Sequence, residues 1–101
     1  MKPRTVLFAD IARGQLRAAK TWWIDNDRPL ETLVDEIEQA IRFLAWMPGA
    51  GTLYPQTRIT GLRRLYLRRT SSHLYYTFTQ DAVMIRAFWH ARRGYGPFRQ
   101  G

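Results

Sequence analysis

The chain has 101 residues, of which 46% are hydrophobic and 14% aromatic, so we predict one folded domain over residues 1–101 and exclude a disordered chain. Cysteine is absent, which excludes disulfide bonds and thiolate metal sites. The net charge of +8 is unevenly distributed: residues 1–41 hold six bases and seven acids, whereas residues 42–101 hold ten arginines and one acid, Asp81. A half with a net charge of +9 indicates an anionic partner, either nucleic acid or an acidic protein segment.

The N-terminal segment predicts a short strand followed by a helix. Thr5–Phe8, "TVLF", is the strand, and the apolar run is far too short for a signal peptide or a membrane span. We therefore expect a cytoplasmic protein without membrane contact. Asp10 is the expected N-cap of the helix, which runs to about Ile24. One face of this helix is apolar and consists of Ala12, Leu16, Ala19 and Trp23.

A second helix gives the clearest periodic signal in the chain. Pro29 suits its first helical position, and Met47-Pro48-Gly49 ends it. Its apolar residues recur at helical spacing and are Leu30, Leu33, Val34, Ile37, Ile41 and Leu44. The turn at Asp25-Asn26-Asp27 is short, so the two helices should form a hairpin. Residues 49–61 show no period and are predicted to be a loop.

Three strands are predicted in the basic half. Arg63–Arg69 alternates, with two leucines opposed to polar residues: Leu65 and Leu67 against Arg64, Tyr66 and Arg68. The next strand places three apolar residues on one face: Leu74, Tyr76 and Phe78. Ala82–His90 follows a tight turn at Gln80-Asp81. The elements together predict an α+β fold, in which an N-terminal strand and a helix hairpin pack on a four-stranded, mainly antiparallel sheet.

The last predicted strand is apolar on both faces. One face carries Val83, Ile85, Ala87 and Trp89, and the other carries Met84, Arg86, Phe88 and His90. A strand of this kind is usually covered on both sides, whereas the helix hairpin can cover only one and no further element is predicted. A bound partner on the face of Met84 and Phe88 would supply the missing cover. The alternative is a partly exposed Phe and Met on an ordinary surface.

The order of these elements, together with four short motifs, resembles the RelE/ParE toxin superfamily of bacterial toxin–antitoxin systems. The motifs are "PGAG" before the loop, "GLRRLYL", "HLYYTF" and "VMIRAFWHARR", and the resemblance covers roughly residues 6–93. In this superfamily, RelE-like members are ribosome-dependent endoribonucleases that cut messenger RNA, and ParE-like members inhibit DNA gyrase. Members of both branches are neutralised by an antitoxin whose C-terminal segment wraps around the toxin. The resemblance thus implies a hetero-oligomer with a cognate antitoxin.

The ribonuclease residues of the RelE-like branch match this chain poorly. Arg64 falls where that branch has a lysine on the strand. Tyr66 falls where that branch has a second lysine, and His73 replaces an arginine. Arg92 matches the arginine after the last strand. The C-terminal tyrosine position falls near Phe98, with Tyr95 close by. Because "GLRRLYL" and "HARR" look like the ParE-like branch, the resemblance favours a gyrase inhibitor that has no catalytic step, with the RNA endonuclease as the alternative.

Candidate site residues follow from these two interpretations. As a ribonuclease, the chain would use histidine for proton transfer and arginine to hold phosphate, which gives the set Arg64, His73, His90 and Arg92. As a gyrase inhibitor, it would bind its target through Arg63, Arg64, His90, Arg92 and Arg93. The antitoxin would contact Arg68, Met84, Arg86 and Phe88. Each arginine could equally belong to a solvated face, and each histidine could be a structural hydrogen-bonding group.

Several other functions find no support in the sequence. There is no Gly-rich phosphate loop, no metal-ligand spacing and no Ser/His/Asp order, so we expect neither a metal nor a cofactor. The four tryptophans are interpreted as packing residues of the core and the helix hairpin rather than as base-stacking platforms: Trp22, Trp23, Trp46 and Trp89. A plain basic nucleic-acid-binding module would explain the charge but not the pattern of the whole chain.

Overall fold

The chain forms two helices and five strands in a computed structural model that describes residues 2–55, 57–92 and 96–98. In chain order the elements are β1 (Thr5–Phe8), α1 (Asp10–Asp25), α2 (Leu30–Trp46), a 3-10 turn (Pro48–Ala50), β2 (Thr52–Leu53), β3 (Arg63–Leu67), β4 (Ser72–Phe78) and β5 (Ala82–His90). The α+β class is confirmed. Neither helix in the described part of the chain is long and apolar enough to cross a membrane.

The sheet has the strand order β1-β5-β4-β3-β2, in which β1 is parallel to β5 and the remaining neighbours are antiparallel. It therefore has one strand more than the four predicted. The extra strand is β2, where Thr52 pairs with Arg64 and Leu53 pairs with Arg63. Two residues are too few to show a period of two, which is why this strand was predicted to be part of a loop.

The helix hairpin covers one face of the sheet with the apolar residues that recur at helical spacing in the sequence. Ala12 and Trp23 of α1 are buried, and the buried core residues of α2 include Leu33, Ile37 and Leu44. The sheet meets them with Leu67, Leu74, Tyr76, Val83, Ile85 and Phe88. The predicted helix starts differ from the observed ones by one residue, since Ala9 and Pro29 occupy the N-cap positions and Asp10 is the first residue of α1.

A β-bulge at Arg86 changes which residues of β5 face the helices. Tyr75 pairs with Ala87 while the next residue, Tyr76, pairs with Ile85, so Arg86 is an extra residue on β5. A bulge reverses the alternation beyond it. Ala87 therefore faces away from the helices and Phe88 packs against them. The predicted faces of β5 are wrong from Ala87 onward, because the prediction assumed an unbroken period of two.

The second face of the sheet is partly covered by the chain itself. Leu62, Tyr75 and Ala87 are buried there, with partly buried Tyr54, Ile59, Trp89 and Phe98 packed around them. The loop before β3 and the segment 96–98 thus supply cover that the sequence pattern did not predict. The prediction that no element of the chain reaches this face is wrong.

Two buried hydrogen-bond clusters tie the helices to the sheet. Glu36 of α2 accepts hydrogen bonds from the Arg69 backbone N–H at 2.7 Å, the Thr70 backbone N–H at 2.9 Å and the Thr70 hydroxyl at 2.7 Å. The hydroxyl of Tyr76 donates to the Pro48 carbonyl at 2.7 Å and accepts from the Gly51 N–H at 2.9 Å. The first cluster fixes the β3–β4 turn, and the second fixes the connection between α2 and β2.

Candidate functional site

The sheet face that points away from the helices carries a group of rings around one arginine, which we call the aromatic cluster: Tyr54, Arg64, Tyr66, His73, Tyr75 and Phe98. The guanidinium carbon of Arg64 lies 5.1 Å from the ring centre of Tyr54. Tyr75 is central, with its ring centre 5.3 Å from that of Tyr54, 6.1 Å from that of His73 and 5.5 Å from that of Phe98. The Tyr66 and His73 rings are 5.2 Å apart.

Strand alternation and register place these side chains together. Leu65 and Leu67 turn inward on β3, so the alternate residues Arg64 and Tyr66 turn outward. Arg64 then lies opposite Tyr75, and Tyr66 lies opposite His73, across the antiparallel β3–β4 pair. Directly opposite residues of such a pair are in contact distance. The centre of the cluster therefore lies on paired strands, and the sheet register sets its arrangement.

The protonation of the cluster is set by burial and by Arg64. Burial, and secondarily the nearby Arg64 charge, hold the pKa of His73 below its ordinary value of 6.5. Burial raises the pKa of Tyr75 above its ordinary value of 10.0, although a hydrogen bond from Arg64 opposes the rise. At neutral pH the cluster consequently presents a neutral imidazole and a neutral phenol beside one fixed cation.

The lowered pKa of His73 predicts a specific pH dependence of stability. In the unfolded chain His73 takes up a proton near pH 6.5, whereas in the folded chain it does so only at a lower pH. Stability should therefore fall as the pH drops below 6.5, and this loss should stop growing once the pH is below the folded-state pKa. His73→Gln should remove this part of the slope in urea denaturation between pH 8 and pH 5. If the wild type and the His73→Gln variant lose stability equally between pH 8 and pH 5, His73 is not the source of this pH dependence.

The structure separates the four residues of the ribonuclease alternative. Arg64 and His73 lie together in the aromatic cluster. His90 pairs with Ser72, which lies one residue before His73 on β4, so the two histidines are on opposite faces of the sheet. Arg92 follows His90, and its backbone N–H donates to His90 Nδ1 at 3.1 Å. One bound phosphate therefore cannot be reached by both histidines in this conformation.

The residues predicted to bind the target do not form one surface. The Arg63 guanidinium donates to the carbonyl oxygens of Gly49 and Gly51, at 3.2 Å and 2.7 Å, and so it helps to fix the chain after α2. Arg64 lies in the aromatic cluster, while His90 and Arg92 lie at the end of β5. Arg93 is outside the described residues.

The residues predicted to contact an antitoxin are also dispersed. Phe88 is only 6% exposed and packs against the helices, so its ring offers little surface to a partner. Met84 is half-buried, and Arg86 donates through Nε to the Thr77 hydroxyl at 3.1 Å. Arg68 is exposed in the β3–β4 turn. The bulge at Arg86 explains why Phe88 does not share a face with Met84.

Tyr54 and Tyr75 belong to the aromatic cluster, although neither was predicted to be a site residue. Tyr75 lies between Leu74 and Tyr76 in "HLYYTF", and its outward position follows from the alternation already used for its neighbours. Tyr54 gave no usable signal because it lies in the region predicted to be a loop. Within residues 2–55, 57–92 and 96–98, no group of three or more His, Cys, Asp or Glu could hold a metal ion. That the protein needs no metal or cofactor stays a prediction.

Comparison with known proteins gives matches only at the level of structure. No family model and no curated protein matches the sequence. A chain of the chromosomal ParDE TA system of P. aeruginosa superimposes with a TM-score of 0.71 at 16% identity, over 88% of this chain and 97% of that chain. A chain of the E. coli DinJ-YafQ toxin-antitoxin complex gives a TM-score of 0.56 at 11% identity, over 93% and 99%. The chain therefore shares the fold of these two chains from toxin-antitoxin systems.

Proposed function

We propose that the protein is the toxin of a type II toxin–antitoxin system, that it acts in the cytoplasm by binding DNA gyrase, and that a cognate antitoxin neutralises it. The observation that carries this proposal is the structural match to a chain of the ParDE system over 97% of that chain. The separation of His73 from His90 adds support, because an inhibitor that acts by binding needs no paired proton-transfer groups. We also expect an adjacent gene to encode a small protein with a DNA-binding N-terminus and an acidic, amphipathic C-terminus.

A second candidate function rests on the aromatic cluster. Exposed or half-buried rings beside an arginine can stack on unpaired bases and hold phosphate, which is the chemistry of single-stranded RNA binding. His73 is neutral at pH 7 and could accept the proton of a ribose 2′-hydroxyl while Arg64 stabilises the charged phosphate. The alternative function is therefore that of a ribosome-dependent messenger-RNA endonuclease. Its site would be the aromatic cluster rather than the four residues predicted from the sequence.

Two assays run side by side separate these functions. The purified chain should inhibit supercoiling by gyrase and trap broken DNA, while messenger RNA on translating ribosomes stays intact. Cleavage of messenger RNA at the ribosome with gyrase unaffected would contradict the proposal and favour the alternative.

His73→Ala gives the cluster a second test. If the cluster is catalytic, loss of the proton acceptor should lower the cleavage rate by about 10²–10⁴-fold. Under the gyrase proposal, a folded His73→Ala variant that keeps its contacts should still inhibit gyrase. His90→Ala is the matched control, because His90 lies on the opposite face of the sheet. Equal losses of cleavage in both variants would argue against a specific role for His73.

A further inference from the structure

The end of α2 carries a group of large side chains that are open to solvent. Phe43, Trp46 and Met47 are 45%, 52% and 56% exposed. Trp46 and Met47 follow Phe43 by three and four residues, which places all three together on the outer side of the helix end. The prediction that the tryptophans are packing residues is wrong for Trp46, and also for Trp22, which is 48% exposed.

Arg4 joins this helix end to the end of the sheet. Its backbone N–H donates to the Ala45 carbonyl at 2.7 Å, and its Nε donates to the Thr79 carbonyl at 2.8 Å. Its guanidinium carbon lies 5.6 Å from the ring centre of Phe78, which is 36% exposed. The helix end, Arg4 and Phe78 therefore form one surface. We call this surface the α2-end patch: Arg4, Phe43, Trp46, Met47 and Phe78.

The α2-end patch has the composition of a binding surface. It holds four of the ten large hydrophobic side chains that are exposed in the described part of the chain. Single exposed hydrophobic residues are normal on a monomer, whereas a group of them indicates an interaction surface. Trp and Arg, both present here, are among the residues that most often carry the binding energy of an interface. No residue predicted from the sequence to bind a target or an antitoxin belongs to this patch.

Positive charge predominates at the border of the patch. Lys2 and Arg42 are exposed beside it in the chain, and the Arg63 guanidinium carbon lies 5.9 Å from the ring centre of the phenylalanine on β4. The acids nearest in the chain are Asp81, which follows β4, and Glu38, one turn before Arg42 on α2. Together with the arginine inside the patch, four cations therefore stand against two carboxylates. Such a surface is complementary to an acidic partner.

The shape of the patch favours a folded partner. The cavity of about 850 Å³ beside α1 is lined by none of its residues. Exposed side chains outside a cavity need a partner that supplies the pocket, as a folded protein surface does, whereas a flexible peptide needs a groove in which to lie. The chain after the patch is also fixed, because the Tyr76 hydroxyl bonds to Pro48 and Gly51, so less conformational entropy is lost on binding.

We propose that the α2-end patch binds the target of this chain, a folded protein that offers an apolar pocket bordered by carboxylates. That this target is DNA gyrase rests on the proposed function, whereas the location and the required chemistry follow from the patch itself. An antitoxin or a second copy of this chain on the same surface would contradict the proposal.

Two substitutions remove apolar side chains from the patch. Trp46→Gln deletes the largest of them and places a good helix former at the last position of α2. Met47→Gln deletes a second one and decides the test if Trp46→Gln fails to fold. Ile24→Gln is the matched control, because Ile24 is 57% exposed but lies near the end of α1, at the other end of the helix hairpin.

The main measurement is the concentration of the purified chain that halves supercoiling by gyrase. We expect each patch variant to raise this concentration about tenfold or more, and Ile24→Gln to leave it within about twofold of the wild type. Both patch variants should melt as folded proteins, because the replaced side chains are half exposed, and should keep the wild-type affinity for the adjacent-gene protein in calorimetry. Arg42→Glu should slow association with gyrase and reduce its dependence on salt.

Folded patch variants that inhibit gyrase as strongly as the wild type would overturn this docking site and leave the proposed function standing. Variants that instead lose affinity for the adjacent-gene protein would assign the patch to an antitoxin and overturn the proposal as well. The same holds if the wild-type chain sediments as a dimer that Trp46→Gln dissociates. A wild-type chain without effect on gyrase would overturn the proposed function, and this target assignment with it.

Discussion

Replacing Glu36 with alanine should lower the free energy of unfolding by about 3–5 kcal/mol, a large share of the stability of a domain of this size. Glu36 is buried and accepts three hydrogen bonds from the β3–β4 turn. Its removal leaves two backbone N–H groups and the Thr70 hydroxyl without their acceptor. Groups left buried in this way lose their hydration without compensation, which costs more than the net value of the bonds themselves.

Glu38→Ala is the matched control for this prediction. Glu38 lies two residues further along α2 and is exposed, so its replacement should change stability by no more than about 0.5 kcal/mol. Urea denaturation of the two variants, analysed with a common slope, measures the difference. Similar losses in both would show that the turn does not depend on the Glu36 carboxylate.

Replacing Gly51 with alanine should destabilise the protein by about 3 kcal/mol. The new methyl group would lie 2.6 Å from the Tyr76 hydroxyl oxygen and 2.9 Å from the Arg64 carbonyl oxygen, both closer than contact allows. Tyr76 is fully buried in the core, so its ring cannot shift without displacing packed neighbours. Relief of the clash would displace the hydroxyl from Pro48 and Gly51 and break both of its hydrogen bonds.

Gly49→Ala separates this clash from the general effect of replacing a glycine. A Cβ at Gly49 meets nothing within 4 Å, and this residue has no positive φ. Alanine there should leave stability unchanged or raise it by about 0.4–1 kcal/mol, because the unfolded chain loses conformational freedom. Thermal denaturation of both variants tests the contrast, and a Gly51→Ala protein as stable as Gly49→Ala would refute the packing argument.

The helices and the inner faces of β3 and β4 could be predicted because their apolar spacing is unbroken. Leu33, Ile37 and Leu44 fall on one side of a helix by period alone, and the structure buries them. Leu65 and Leu67 follow from a period of two in the same way. Local pattern was sufficient wherever one element presents one regular face to the core.

The rest depends on contacts between residues that are distant in sequence. The bulge at Arg86 is a property of the β4–β5 pair, and no pattern within β5 shows it. The role of Glu36 is likewise set by a turn that lies 33 and 34 residues away in sequence. The separation of His73 from His90 follows from the same register. For the site, the sequence indicated Arg64 and His73 as candidates but did not show which residues share a surface with them.

We propose that this chain is a toxin whose action an antitoxin prevents. The most direct test of this proposal is expression from an inducible promoter in a bacterium that lacks the pair, with colony formation counted with and without the adjacent-gene protein. We predict that induction of the chain alone stops colony formation and that co-expression of the adjacent-gene protein restores it. Undiminished colony formation in cells that contain the folded chain alone would contradict the account.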